Sequence, residues 1–440
     1  MKRLAAMLTA AGMLLLTGCS PGNISPEGLL SAPKLSEEQS KIHEALLDRT
    51  GRSITLKYPQ NGDNRSAYVI ANLDDEPGDE AIVFFEYTNI GSGDEGIRMN
   101  ILDKTGKDGA WESVYEAAGA GTDIDRVIIS RLGGNAYPSV IVGYKTMNIE
   151  EKTLEVYNYA DKQLTRIGEE NYSVLDTMDI NNDRYNEIIV IQQDQAESVS
   201  QAFMLQLEDG AIVKKNPVQM AAGSSAYTNA VKGRVTATQR GLFIDSLTAD
   251  GQLRTEILYY KYSSLQNPMA QLPDILLPQT YRESGYYSAD IDGDGAVEIP
   301  VTSIMRGYED YEKDDRLYET SWYAYEDFYR LEKKYTGYYS LSDGWAMMFP
   351  SRWKSLVTVT RDSKTGEIVF WKYEGKISDN MTELMRVTVC AKSECADYLY
   401  DGYQEITTKG QLVYLVKSAS AQLDSLVLTL DEVKNNFYVL

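Results

Sequence analysis

The sequence predicts a mainly β fold, in which a β-propeller of about five blades is followed by a small α+β domain. Two observations predict it. Acidic loops of similar sequence recur along the chain, and each runs directly into a short apolar segment rich in β-branched residues. The β-rich units return at intervals of 45 to 66 residues, and a β-rich repeat of roughly 40 to 50 residues is typical of propeller blades.

The most complete acidic loop runs from Asp290 to Glu298 and has the composition of a calcium site. Its predicted ligands, at positions 1, 3, 5, 7 and 9, are Asp290, Asp292, Asp294, the carbonyl of Ala296, and Glu298. Gly295 at position 6 allows the sharp turn that brings such oxygens onto one hard cation. Because the closing glutamate stands at position 9 and not at position 12, the loop is not an EF-hand.

Two earlier loops match this pattern position by position. The predicted ligands are Asp179, Asn181, Asp183, Tyr185 and Glu187 in one loop, and Asn72, Asp74, Glu76 and Glu80 in the other. The 179 loop lacks the glycine at position 6, and the 72 loop has Pro77 there, so we expect both to bind calcium more weakly than the 290 loop. A solvated turn without metal is the alternative for each loop. It fits the 290 loop least, where three aspartates would repel one another without a cation.

Two further units keep the strands and lose the ligands. They run from Ser130 to Pro138 and from Asp245 to Thr255. With the units aligned at Asn72, Arg131, Asp179, Asp245 and Asp290, the intervals are 59, 48, 66 and 45 residues. The segment from Ser53 to Tyr58 is a candidate for closing the ring by pairing with the last blade.

These loops resemble the FG-GAP and VCBS-type repeats of integrin-like β-propellers. In that family, Asp-x-Asp-x-Asp-Gly-x-x-Asp/Glu loops bind calcium between the first two strands of a blade. The resemblance covers residues 54–338 approximately and implies calcium as a structural cofactor. The Phe-Gly and Gly-Ala-Pro signatures of the family are absent from this sequence, so the resemblance does not extend to integrin-like ligand recognition.

The first 18 residues have the form of a bacterial lipoprotein signal peptide. Lys2 and Arg3 precede an almost wholly apolar run from Leu4 to Leu16, and the sequence Leu-Thr-Gly-Cys that ends at Cys19 resembles a lipobox. The sequence therefore predicts acylation of Cys19 and anchoring at the outer face of the bacterial cell membrane. Residues 19–34 contain several prolines and glycines and are predicted to be a tether.

The rest of the chain divides into two predicted parts. Residues 35–338 should contain an N-terminal helix, opened by a capping box at Ser36 and Gln39, and the propeller. Residues 339–440 mix β runs with helical segments and predict the α+β domain. An aromatic-Pro-x-x-Trp segment at Pro350 weakly resembles PsbP-like domains. Cys390 and Cys395 are interpreted as two thiols in preference to a disulfide.

Composition narrows the function. The chain of 440 residues has 43 basic and 65 acidic residues, and its net charge of −22 disfavours nucleic acid as a partner. Its single histidine, His43, removes most histidine-based chemistry. With no catalytic constellation in the pattern, the sequence predicts a binding or scaffold protein without catalytic activity, whose ligand is an unidentified protein or glycan. The alternative is a carbohydrate-active hydrolase with paired carboxylates on a propeller face.

Overall fold

A computed structural model describes residues 35–440 except 52, 75, 89–95, 106–108, 147–151, 195–198, 327–328, 379 and 421–423. The predicted signal peptide, the lipobox with Cys19 and the tether lie outside the described residues. The fold is mainly β, with 53% of residues in strands and 11% in helices, which confirms the predicted class. Within the described ranges, no helix has the length and apolar character needed to cross a membrane.

The described chain opens with helix α1 (Glu37–Thr50), which starts at the predicted capping box. The Ser36 hydroxyl accepts the backbone N–H of Gln39 at 3.1 Å, and the Gln39 side chain accepts the backbone N–H of Ser36 at 3.0 Å. Ile42 and Leu46 are fully buried on one face of the helix and pack against the first sheet. The helix is therefore part of the first sheet's hydrophobic core.

Six antiparallel sheets follow α1 along the chain. The first contains β1 (Ile54–Leu56), β2 (Tyr68–Ala71), β3 (Glu80–Tyr87), β4 (Arg98–Thr105) and β5 (Ala110–Ala118). The second contains β6 (Asp123–Ser130), β7 (Ser139–Lys145), β8 (Lys152–Ala160) and β9 (Gln163–Tyr172). The third contains β10 (Val174–Met178), β11 (Glu187–Asp194), β12 (Val199–Glu208) and β13 (Ala211–Gln219). In the second and third sheets, the strands lie side by side in chain order.

The fourth sheet contains β14 (Ser224–Arg234), β15 (Arg240–Thr248), β16 (Leu253–Lys261) and β17 (Ser264–Gln266), and α2 (Pro268–Gln271) follows it. The fifth contains β18 (Glu298–Ile304), β19 (Tyr318–Glu326), β20 (Arg330–Ser340), β21 (Trp345–Met348) and β27 (Phe437–Val439). The sixth has the order β22 (Val357–Arg361), β23 (Ile368–Lys372), β24 (Glu383–Ala391), β26 (Leu412–Ser418), β25 (Gln404–Lys409). Helices α3 (Ala396–Tyr400) and α4 (Leu430–Asn436) belong to this last region. The domain boundary predicted after residue 338 falls within β20.

Hydrophobic clusters lie between successive sheets, which is the packing of propeller blades. Alternate side chains of the second strand of each sheet face different neighbours. In β7, Val142 packs towards the first sheet while Ile141 packs towards the third. In β15, Ile244 faces the third sheet and Phe243 faces the fifth. Because both faces of these strands are buried, their sequences are continuous apolar runs and not alternating ones.

Three predictions of detail are wrong. Strand β1, expected to close the ring with the last blade, instead pairs antiparallel with β3 of its own sheet, with Ile54 opposite Tyr87. Asp245 lies inside β15, so it is not the start of a blade's loop. The connection between the first two strands of the fourth sheet is 235–239, and counting from Val235 changes the last two intervals to 56 and 55 residues.

The interpretation of two separate thiols is also wrong. Cys390 and Cys395 form a disulfide in the structure. Cys390 lies near the end of β24, and the tight turn that leads into α3 brings the two Cα atoms to 5.7 Å, within the range that a disulfide can span. The sequence separation of five residues could not reveal this turn.

Candidate metal centre

Each of the three acidic loops leads directly into a strand of a different sheet. Residues 72–79 join β2 to β3, and residues 179–186 join β10 to β11. Residues 290–297 lead into β18 after Ala289 pairs with Glu298 as an isolated antiparallel bridge. The predicted ligand at position 9 is thus the first residue of a buried strand in every case.

The three glutamates at position 9 share one environment. Glu80, Glu187 and Glu298 are at most 2% exposed, and burial raises the pKa of each to about 7. One carboxylate oxygen of each accepts the backbone N–H of the second loop residue, over distances of 2.6 to 3.2 Å. This contact fastens the loop to the strand and leaves the other oxygen of each glutamate for a different partner.

In the 290 loop, the aspartates turn inward and the backbone folds around them. Asp290 accepts the N–H groups of Gly293 and Gly295 at 2.8 and 2.9 Å. Both glycines have positive φ, 76° and 87°, which a residue with a side chain rarely adopts. One carboxylate oxygen each of Asp290, Asp292 and Asp294 lies within 4.8 Å of the others, and among the described residues this is the only such acidic group of three.

Two side chains from distant strands touch this loop. The Tyr335 hydroxyl on β20 donates to Asp292 at 2.5 Å, and this hydrogen bond raises the pKa of Tyr335. Arg234, at the end of β14, pairs with the Asp294 carboxylate at 2.9 Å. A cavity of about 520 Å³ opens beside the loop, and Lys334 also lines it. Local sequence patterns could not reveal these contacts, because the partners stand 43 and 60 residues away along the chain.

The donor set of the 290 loop fits a calcium ion. Calcium takes six to eight oxygens at about 2.4 Å, so ligand oxygens on one ion lie within roughly 5 Å of one another, as these three do. Asp290, Asp292 and Asp294 would hold the ion, with the Ala296 carbonyl and Glu298 as the remaining predicted ligands. The ion would supply positive charge to a loop whose described partners include a single cationic side chain, Arg234.

The 179 loop adopts a similar turn without the glycine. Asn182 and Arg184 take positive φ values of 62° and 79°, and Asp179 accepts the N–H groups of Asp183 and Arg184. Here a protein donor stands between the acids, since the Asn181 amide donates to Asp183 at 2.9 Å and to Glu187 at 2.8 Å. The carboxylates of this loop therefore depend less on a cation.

The 72 loop is built differently again. The Asn72 amide donates to the backbone carbonyls of Glu76 and Gly78, so its N–H₂ group points into the loop at the place where position 1 should offer an oxygen. Asp74 accepts the N–H of Glu76 at 2.8 Å. Pro77 at position 6 is confined to negative φ and cannot make the turn that Gly295 makes. The structure thus brings together the predicted ligands of the 290 loop most fully.

A second feature is a groove of about 830 Å³ lined by the first strands of the second, third and fourth sheets. At its wall, the fully buried Asp125 accepts hydrogen bonds from Tyr172 and Asn61 and pairs with Lys152 and Arg126. Burial alone would raise the pKa of Asp125, but these partners hold it below its ordinary value. The groove lining carries both signs of charge, with Arg65, Arg126, Lys152 and Lys232 beside Asp63 and Asp176.

Comparisons with known proteins give only distant structural similarities. No protein-family model and no curated protein matches the chain. A periplasmic gluconolactonase from Pseudomonas aeruginosa is 11% identical, with 58% of this chain and 82% of that one covered and a TM-score of 0.24. Sqt1 from Saccharomyces cerevisiae is 9% identical, with 78% and 90% covered and a TM-score of 0.30. The chain's own architecture, in which hydrophobic clusters join successive antiparallel sheets, makes it a β-propeller-type protein.

These comparisons also correct one expectation. The sequence predicts a protein without catalytic activity, but the solved structures that the chain distantly resembles include one named as a gluconolactonase, which is an enzyme. The expectation is therefore withdrawn. The similarity is distant and assigns no reaction to this chain.

Proposed function

We propose that the chain is a lipid-anchored, extracytoplasmic binding protein whose propeller is stabilised by calcium. The observation that carries the proposal is the convergence of Asp290, Asp292 and Asp294 within 4.8 Å on a loop closed by the buried Glu298. Such a group is costly to assemble without a cation, because the carboxylates repel one another. Extracellular calcium is abundant enough to fill sites of modest affinity.

The calcium part is tested by thermal unfolding with chelator and with millimolar calcium. A ligand that binds only the folded state stabilises it by about 2.7 kcal/mol at a hundredfold excess over Kd, so melting should rise with calcium. Asp292→Asn should remove most of this rise, because the amide loses the charge while keeping an acceptor for the Asp294 N–H. Asp310→Asn makes the same charge change at an exposed position outside the loops and should leave the rise intact. An equal rise in both variants would contradict the proposal.

The anchoring part rests on the sequence, since Cys19 ends a basic and then apolar leader with a lipobox-like motif. Cys19→Ala should abolish acylation, and the protein should leave the membrane fraction or stay uncut. Metabolic labelling with palmitate and cell fractionation measure both effects. Uptake of label by the Ala variant at the level of the natural protein would exclude the lipobox.

The groove between the first strands is the place where we expect a ligand to bind. Its lining includes four basic and two acidic side chains, with Lys232 paired to Asp176 at 2.9 Å, and this excess of cations favours an acidic glycan or an acidic peptide segment. A panel of cell-wall and plant polysaccharides tests this, with retention on the protein as one readout and release of reducing sugar as the other. Retention weakened by Lys232→Ala supports the binding role. Release of sugar that a single Asp or Glu change abolishes would replace it with the hydrolase alternative.

A further inference from the structure

A small pocket of about 220 Å³ lies where the fifth and sixth sheets meet. It is lined by the connection that enters the fifth sheet, by β19, β20 and the turn after β20, and by the last residue of β22. It shares no lining residue with the groove or with the cavity beside the 290 loop. The pocket is therefore a separate candidate site, and it depends neither on the ion nor on the groove ligand proposed above.

Tyrosine rings form walls that the hydrophobic core holds in place. Tyr338 is 4% exposed, and the centroid of its ring lies 6.1 Å from that of Phe370 and 5.8 Å from that of Trp345. Tyr286 is 7% exposed and meets the ring of Tyr339 edge to face at 5.5 Å. Because packing fixes these rings before a ligand enters, less conformational entropy is lost on binding.

Most of the lining can form hydrogen bonds with a polyol. Six of the ten lining residues carry a hydroxyl group, four of them tyrosines and two of them serines. Burial raises the pKa of Tyr338 to about 12 and raises the pKa of Tyr286 above its ordinary value, so both hydroxyls stay protonated near neutral pH and can donate. A hydroxyl also accepts hydrogen bonds, so this lining suits a ligand that has several hydroxyl groups of its own.

The lining contains two arginines and no carboxylate. The hydrogen bonds that the structure describes for Arg316 go to the backbone carbonyls of Tyr311 and Glu309, and no carboxylate among the described residues forms an ion pair with it. The other arginine, Arg361, has the Asp343 carboxylate as a partner at 3.7 Å. The pocket thus keeps positive charge in a chain whose net charge is −22, which favours an anionic ligand.

We propose that this pocket binds a single sugar ring that carries a carboxylate, such as a uronic acid. The carboxylate would pair with Arg316, and the ring would pack on the tyrosines while its hydroxyls bond with theirs. The volume is below the roughly 300–1,000 Å³ of pockets for drug-sized ligands, so one ring fits and a chain of sugars does not. Leu341 and Arg361 leave the lining partly exposed, so the ring can be a free monosaccharide or the terminal residue of a longer acidic glycan.

Calorimetry with galacturonate, with its methyl ester and with benzoate tests this assignment. Galacturonate should bind most tightly, because the ester lacks the charge and benzoate lacks the hydroxyl groups. Arg316→Gln should weaken galacturonate binding roughly tenfold to a hundredfold, the value of a hydrogen bond to a charged group, and should leave the binding of the ester unchanged. Arg330→Gln removes an exposed arginine of the same sheet outside the pocket and should change neither affinity.

A second variant tests the hydroxyl groups. Tyr338→Phe keeps the ring against Phe370 and removes only the hydroxyl, so it should weaken galacturonate and its methyl ester by the same factor. Melting curves of each variant show that it is folded. Competition by a galacturonate trimer would identify the ligand as the end of a polymer, and its absence would identify the free sugar acid.

The inference is overturned if galacturonate does not bind, if its methyl ester or benzoate binds as tightly, or if Arg316→Gln leaves its affinity unchanged. Lys232→Ala separates this site from the groove, since it should weaken the retention of polysaccharide and leave galacturonate binding intact. If Lys232→Ala abolishes galacturonate binding and Arg316→Gln does not, the sugar acid binds in the groove, and this inference fails while the groove stands. The reverse result refutes the groove and leaves this site.

Discussion

Asp245 and Asp290 begin stretches that the sequence pattern aligns, but their carboxylates have different partners in the structure. Asp245 is fully buried in β15, and its carboxylate accepts bonds from Arg282, Thr255, Ser288 and Asn229, four of them between 2.7 and 2.8 Å. Asp290 accepts only backbone N–H groups of its own loop among the bonds that the structure describes for it. One charge is neutralised by an arginine from within the chain, and the other has no cationic partner among the bonds that the structure describes for it.

The two regions are also connected. Arg282 lies in the segment that leads from the fourth sheet to the 290 loop, and Ser288 stands two residues before Asp290. The backbone N–H of Ser288 donates to Asp245 at 2.7 Å, and Arg282 pairs with Asp245 at 2.7 Å. The buried pair therefore fixes the entry to the 290 loop, so that breaking it tests how far one region depends on the other.

The largest effect should come from Arg282→Met. It leaves the Asp245 carboxylate buried without its counter-charge, and removal of one partner of a buried pair costs about 3–5 kcal/mol of unfolding free energy. Urea unfolding should show this loss both in chelator and in calcium. Arg330→Met breaks an exposed pair with Glu326 and should cost less than about 1 kcal/mol. A loss in Arg282→Met that calcium fully restores would show that the two regions are not distinct.

The pH dependence of the Asp245 contribution to the free energy of unfolding should change sign in the Arg282→Met variant. In the natural protein, burial would raise the pKa of Asp245, but Arg282 and the hydrogen bonds hold it below its ordinary value of 3.8. Its contribution to stability is therefore present above pH 3.8 and is lost as the pH falls through the lower, folded value. Without Arg282, burial should raise the pKa, so the variant should gain stability as the pH falls, by up to about 1.4 kcal/mol per pH unit.

Urea midpoints of both proteins between pH 4 and pH 7 measure this change. The gap in stability between natural protein and variant should widen as the pH rises. Arg330→Met, measured in parallel, should follow the natural protein throughout. A gap that stays constant over this range would mean that Asp245 keeps its charge without Arg282.

The comparison also shows which features local sequence determines. Strand positions, the capping box at Ser36 and the site of each loop followed from short patterns, because hydrogen-bonded turns and buried runs depend on neighbours in the chain. The partners of the loops did not follow. Arg282 and Tyr335 reach their acids from segments 37 and 43 residues away along the chain, through tertiary packing that no local pattern encodes. For the same reason, Asp245 was aligned with Asp290 although it lies inside a strand.

A smaller effect is expected from a substitution that makes the 179 loop resemble the 290 loop. Asn181→Asp replaces an amide that donates to Asp183 and Glu187 with a third carboxylate, so the protein without calcium should lose about 1–3 kcal/mol. Calcium should restore that loss, and the calcium-dependent rise in melting should exceed that of the natural protein. Asn186→Asp adds the same charge at position 8, which is not a predicted ligand, and should not create a larger rise. Equal responses of the two variants would show that charge alone, and not its position, sets the calcium dependence.

The smallest effect concerns the turn at position 6, where the 290 loop has Gly295 and the 179 loop has Arg184. Arg184 holds a φ of 79°, which costs a residue with a side chain about 1 kcal/mol, while glycine adopts it freely but loses more entropy on folding. Arg184→Gly should therefore raise the unfolding free energy by less than about 1 kcal/mol in chelator. Arg184→Ala removes the same charge but keeps the strained φ, so it isolates the backbone from the electrostatics. Asn182→Gly should be nearly neutral, because asparagine tolerates its φ of 62°.

Both Arg184 variants should bind calcium more tightly than the natural protein, since each removes a positive charge beside the predicted ligands. If only the glycine variant gains affinity, the turn geometry, and not the charge, separates the 179 loop from the 290 loop.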